Sequence, residues 1–157
     1  STRILLEGPN EVSSAIDRAL ADKSPSSVWN IDACSSMYYE EENAEVTYDN
    51  FSYLETDDRV EIRLIEVGDH YLVAEVPITI EATATGDFIF QAKDEGEYIT
   101  VGSSSETIHF THETEAMVKI SNYSTVEFSV LEVDFSDLVH SVDFGDIEPD
   151  WDDDYYE

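Results

Sequence analysis

Between residues 71 and 92 the sequence keeps a period of two. Leu72, Ala74, Val76, Ile78, Ile80, Ala82 and Ala84 fall on one parity, and Glu75, Thr79, Glu81, Thr83 and Thr85 on the other. Successive side chains of a strand point to opposite faces, so this spacing predicts a long strand with one face in a core and one in water. Gly86, Phe88, Phe90 and Ala92 hold the same parity, which extends the apolar face past the glycine in a bent or bulged strand. A second segment matches the first: Ile108, Phe110, His112, Thr114, Ala116, Val118 and Ile120 share one parity against Thr107, His109, Thr111, Glu113, Glu115 and Lys119. The two are natural antiparallel neighbours. The expected fold is mainly β, an antiparallel sheet arranged as a sandwich or a curled meander, with one short N-terminal helix.

The remaining elements are read against these two strands. Over 10–23, Val12, Ala15, Ile16, Ala19 and Leu20 recur at helical spacing behind a cap at Asn10 or Ser13, and Lys23, Ser24 and Pro25 stop the helix. A helix of about three turns is marginal alone, so its stripe must dock on the sheet or on a missing N-terminal portion. Trp29 and Ile31 read as core anchors, and the glutamate-rich residues 38–45 as a solvated loop or helix turn. Val46, Tyr48, Phe51 and Tyr53 suggest an edge strand broken at Asp49-Asn50. Val60, Ile62 and Leu64 alternate until the phase slips at Leu64-Ile65, which a β-bulge accommodates. Gly68-Asp69-His70 then turns the chain into the first long strand, where Pro77, lacking an N–H, should sit at an edge or bulge.

Asp94-Glu95-Gly96 is a turn into a short strand over 98–101, and Gly102 with three serines reads as another turn before the second long strand. After Asn122-Tyr123-Ser124, Val126, Phe128 and Val130 alternate until a further slip at Val130-Leu131. Residues 60–67 and 126–133 thus share one template, which two bulged strands of one sheet, or a duplication, would each produce. Val139, Val142 and Phe144 suggest a last edge strand. The organisation expected is a single acidic all-β domain over 1–157, with antiparallel strands over 46–146 and an acidic, aromatic tail over 147–157.

Charge narrows the range of partners. Thirty-seven acidic residues face seven lysines and arginines, a formal net charge of −30. Such a surface repels phosphate backbones and anionic membranes and attracts basic proteins or cations. Direct nucleic-acid binding and membrane binding are therefore not expected. Cys34, the one cysteine, cannot form an internal disulfide, which fits a reducing, cytoplasmic compartment. No apolar run approaches the ~20 residues of a membrane span, and no signal-peptide pattern is visible. A start at Ser1 without methionine suggests a processed product or a piece of a longer protein.

An enzyme is not expected, and no catalytic residue is assigned. His109 and His112 have a spacing that ligates metal on a helix, but on a strand they point to opposite faces, His109 outward and His112 inward. Cys34 reads as a small buried thiol. Phosphate loops, nucleophile elbows and zinc spacings are absent from the sequence. No metal site and no cofactor are expected. The acidic C-terminal segment offers hard oxygens of the kind calcium or magnesium takes, but Phe144 and Trp151 interrupt the EF-hand register and Gly145 is misplaced in it.

Trp29-Asn30-Ile31-Asp32 after a short helix, residues 60–67, the threonine/glutamate strand over 76–85, residues 98–102, and residues 126–133 leading to an acidic end together resemble the acidic, strand-rich C-terminal region of bacterial proteins that carry a PIN-like nuclease domain. The resemblance implies a non-catalytic accessory or regulatory module, with a missing N-terminal domain or a basic protein surface as partner and no catalytic residue carried over. In that case Val12, Ile16 and Leu20 would be left exposed. A second reading is a nucleic-acid mimic, an anti-restriction or anti-CRISPR inhibitor of phage type. Outward strand residues repeat every ~6.8 Å, comparable with phosphate spacing. A third is a halophilic domain whose evenly spread acid is an adaptation to salt. Under the partner readings the binding residues would be Glu75, Glu81, Glu113 and Glu115 on the wet strand faces, together with Asp150, Trp151, Asp152, Asp153, Asp154, Tyr155 and Tyr156 of the tail, whose aromatics would hold it against the domain or a partner.

Overall fold

The computed structural model describes residues 11–28, 30–121 and 129–150. Among the described residues one helix, α1 (Glu11–Asp22), precedes eight strands: β1 (Ser26–Ser27), β2 (Asn30–Cys34), β3 (Tyr38–Tyr53), β4 (Arg63–Val67), β5 (Tyr71–Asp94), β6 (Glu97–Ser121), β7 (Ser129–Phe135) and β8 (Ser141–Asp146). The main sheet runs β1-β3-β5-β6-β7, with β4 also paired to β5, and β2 and β8 form a second sheet. The mainly β fold with one short N-terminal helix is the one the sequence predicts. No helix of the described residues is long and apolar enough to cross a membrane.

The chain divides into two compact units. The first comprises Ser1–Ser24, Tyr48–Ala82 and Thr111–Leu138. Its core follows the even parity of β5, from Ala74 through Val76, Ile78 and Ile80 to Ala82, and that of β6 at Ala116, Val118 and Ile120, all buried. Val12, Ile16 and Leu20, one stripe of α1, are 0–1% exposed and close this core. The open stripe expected beside a missing domain is therefore not observed. Ser24 ends the helix and ties it down: its hydroxyl donates to Leu20 O at 3.0 Å and accepts from Tyr48 N at 2.8 Å. Sequence pattern alone gave Ser24 only the role of a breaker.

Both phase slips are bulges. On β4, Leu64 pairs with Ala74 and Glu66 with Val73, leaving Ile65 as the extra residue; on β7, Glu132 pairs with Lys119 and Val130 with Ile120, leaving Leu131 extra. The shared template thus marks two strands bulged at the same place. Residues 60–62 lie outside β4, and all five residues of β4 are exposed, so its alternation does not correspond to a buried face. Pro77 sits where β5 changes partner. β4 pairs with residues 72–75, and Leu54 N then donates to Pro77 O at 3.0 Å, so the missing N–H falls between two ladders.

The second unit comprises Pro25–Thr47, Thr83–Phe110 and Val139–Glu157. Ala84, Phe88, Phe90, Val46, Val28, Val142, Phe144 and Ile147 are buried in it. Tyr39 and Phe144 pack edge-on against Phe88, with ring centroids 5.8 and 5.4 Å away. Residues 38–45, expected as loop, are the first half of β3. Glutamate is a poor strand former, but ladder pairing and the inward Tyr39 outweigh it. Residues 46–53 are not broken at Asp49-Asn50: β3 is continuous, pairs with β5 on one side and with the two-residue β1 at Glu45 and Val46 on the other, and shows the slip only as a change of buried phase.

Gly102 and the serines after it are strand, not turn, and β6 runs unbroken for 25 residues. Gly102 serves close approach instead: a Cβ there would stand 2.8 Å from Pro149 Cβ. Glu95 and Gly96, with φ of 51° and 87°, make the tight turn between β5 and β6. In the main sheet β1 with β3, β4 with β5 and β6 with β7 pair antiparallel, as expected, while β2 pairs with β8 in parallel, Ile31 beside Val142.

Candidate interaction surface

In the first unit the outward parity of β5 and β6 carries the four glutamates singled out from the sequence. Their environments differ. Glu75 lies opposite Arg63 in the β4–β5 ladder and pairs with it at 3.6 Å, a half-exposed contact worth little in net stability. Glu115 accepts a hydrogen bond from Ser136 Oγ at 2.6 Å. Ser136 N donates to Glu115 O at 3.0 Å and Asp137 N to Thr114 Oγ1 at 3.2 Å, so Glu115 belongs to the corner where the chain leaves β7. Glu81 and Glu113 are exposed. Glu75 and Glu81 are six residues apart on one strand, about 20 Å, and Glu113 and Glu115 about 7 Å. The four glutamates therefore line a strip, not a pocket.

Cations are scarce on this strip. β5 and β6 carry one lysine each, Lys93 and Lys119, at 93 beyond this unit and at 119 near the end of β6. Lys119 Nζ stands 4.5 Å above the Tyr71 ring. The Tyr71 hydroxyl donates to Glu66 Oε1 at 2.7 Å. That bond and the Glu66 charge hold its pKa above the ordinary tyrosine value. Tyr53 is raised too, first by burial and then by the Asp17 carboxylate on α1.

The second unit holds the other candidates. Asp150 is exposed, and its backbone N donates to Ser103 O at 2.8 Å, which fixes the start of the tail on β6. Trp151, Asp152, Asp153, Asp154, Tyr155 and Tyr156 lie outside the described residues, as does Trp29. Cys34 is exposed, not the buried thiol expected, because it shares the outward parity of Asn30 and Asp32 on β2, while Ile31 and Ala33 turn inward. The Tyr39 hydroxyl donates to Ala33 O at 2.8 Å. Burial, followed by Glu41, Cys34 and Asp32, raises its pKa.

His109 is exposed, with Nδ1 3.0 Å from Thr83 Oγ1, while half-buried His112 places Nε2 2.9 Å from Asp137 O. The two rings lie on opposite faces, as their spacing on a strand requires. Among the described residues no three His, Cys, Asp or Glu side chains converge as metal ligands would. A shallow groove of about 310 Å³, lined by Val28, Ile31, Glu41, Glu42, Ala44 and Glu45 among others, is a further concavity.

Two exposed apolar features escaped the sequence reading. Tyr38 and Tyr98 stack with centroids 5.1 Å apart, each more than half exposed. Leu64, Ile65 and Val67 stand in water along β4. Only the phase slip at Leu64-Ile65 hinted at the second. Compared with protein-family models, curated proteins and solved structures, the chain matches none of them.

Proposed function

We propose that this chain is a non-catalytic interaction domain that presents the acidic outward face of β5 and β6 to a basic protein surface. The observation that carries this reading is the strip on the first unit, where Glu81 and Glu113 are exposed and β5 and β6 themselves carry no lysine or arginine between these positions and Lys119, the nearest arginine, Arg63 of β4, being paired with Glu75. Closely spaced carboxylates on a rigid sheet raise the local anionic potential, which speeds encounter with cationic surfaces and is weakened by salt. Because Val12, Ile16 and Leu20 are already covered by the chain itself, the partner is taken to be a separate molecule, whether an accessory-domain target or a nuclease whose basic groove ordinarily holds nucleic acid.

A second reading, a surface adapted to high salt, is favoured by the distribution of acid. Exposed carboxylates occur on α1 at Asp17 and Asp22 and along β3 at Glu40, Glu42 and Glu45 as well as on the strip. One experiment separates the two. Immobilised wild-type chain and two double variants, Glu81→Lys/Glu113→Lys and Glu40→Lys/Glu42→Lys, are incubated with lysate and eluted with salt. The interaction reading expects a basic protein on the wild type and on the β3 variant, but not on the strip variant. Equal retention by all three, or none by any, would overturn it.

A further inference from the structure

β4 carries exposed apolar side chains on a strand with one edge unpaired among the described residues. All five of its residues are exposed, with Leu64 at 60%, Ile65 at 46% and Val67 at 62%. One of its edges is taken by β5, and among the described residues no other strand pairs with it. Such an edge offers main-chain donors and acceptors in a row, with apolar side chains beside them, and is a template for a further strand.

The occupant can be read from the order of residues along that edge, Arg63-Leu64-Ile65-Glu66-Val67, with Ile62 immediately before it. When the strand is laid antiparallel against itself with a two-fold axis between Leu64 and Ile65, Arg63 falls opposite Glu66 of the other copy, Leu64 opposite Ile65, and Ile62 opposite Val67. Each pairing occurs twice, as an isologous interface requires. Directly opposed residues of an antiparallel pair share a face, so charge meets charge and apolar meets apolar. Arg63 also faces Glu75 within its own chain, and its side chain is 74% exposed. It would therefore sit between two carboxylates in a row of alternating sign.

The bulge points to the same occupant. A regular strand laid along β4 would fall out of step at Ile65, and that is how a bulge ordinarily protects an edge. A second copy carries the same extra residue at the axis and keeps step. β7 follows the same template but has Ser129 where β4 has Arg63, so Glu132 would find no cation across a dyad there. We propose that the free edge of β4 pairs with β4 of a second copy, making a two-fold symmetric dimer that continues the sheet across the axis. Two chains of net charge −30 repel, so the dimer tightens as salt screens them.

Sedimentation equilibrium of the full chain in about 1 M sodium chloride, where the screening length is a few ångströms, tests this. The wild type should be a dimer. Arg63→Glu and Glu66→Arg should each be monomeric alone, since each sets like charges opposite one another, and an equimolar mixture of the two should dimerise, since every pair is then complementary. A monomeric wild type, a dimer indifferent to both changes, or a mixture that stays monomeric would overturn the proposal. Should either charge variant fail to fold by circular dichroism, Leu64→Lys at its exposed position takes its place: loss of the dimer is expected, and its retention would refute the edge pairing. A negative result here leaves the acidic strip untouched, because the two surfaces share neither Glu81 nor Glu113.

Discussion

Tyr53 shows how one residue couples the helix to the charge of the molecule. It sits half-buried near Asp17, and both burial and that carboxylate oppose its ionisation, which lifts its pKa above the ordinary 10.0. The folded state therefore holds the phenolic proton longer than the unfolded chain. Its stabilising contribution is complete below pH 10 and is lost as pH rises through the folded pKa. Urea midpoints measured from neutral to strongly alkaline pH should fall more steeply for the wild type than for Tyr53→Phe, and parallel curves would show that Tyr53 is not the group responsible. Single residues were also where sequence reading was least informative. Cys34 was expected in a core and is exposed, because it lies on the outward parity of β2 with Asn30 and Asp32, opposite Ile31 and Ala33. Gly102 looked like a turn and instead makes room for Pro149, 47 residues later, a contact that no local window contains.

Among the elements, legibility tracked the length of the pattern. The even parity of β5 predicted its buried face from Ala74 to Phe90, and each slip of phase marked a real bulge. β3 was lost where glutamates replaced the residues that strands favour, since pairing with β5, and with β1 at Glu45 and Val46, makes it a strand despite its composition. The β2–β8 pair was illegible for a different reason. Five- and six-residue strands more than a hundred positions apart leave no local trace of being parallel partners. One hydroxyl, that of Ser24, ties the end of α1 to β3: it caps Leu20 O and receives the amide of buried Tyr48. Ser24→Ala leaves that amide without its acceptor, which should cost about 1–3 kcal/mol, read as a lower urea midpoint at unchanged denaturant slope. A change below a few tenths of a kcal/mol would mean that water or another group replaces the hydroxyl.

For the molecule as a whole, the apolar faces close two cores while the acid remains outside with few cations to meet it. Of the candidate strip, the sequence disclosed which side Glu75, Glu81, Glu113 and Glu115 occupy. It did not disclose that Glu75 is paired with Arg63 and Glu115 with Ser136, because those partners arrive from strands whose register pattern alone does not fix. Self-repulsion at net −30 makes stability depend on ionic strength. The urea midpoint should rise steadily with sodium chloride up to molar concentrations, and a flat response would show the charges to be neutralised by contacts within the fold. The central claim is that the face on which a charge sits matters more than its number. Ala84, 1% exposed, and Thr85, exposed, are neighbours on opposite faces of β5. Ala84→Asp and Thr85→Asp each add one negative charge, so equilibrium unfolding of the two compares face alone. Ala84→Asp is expected to lose at least about 3 kcal/mol or fail to fold, and Thr85→Asp less than about 1 kcal/mol. Equal losses for the pair would contradict the account.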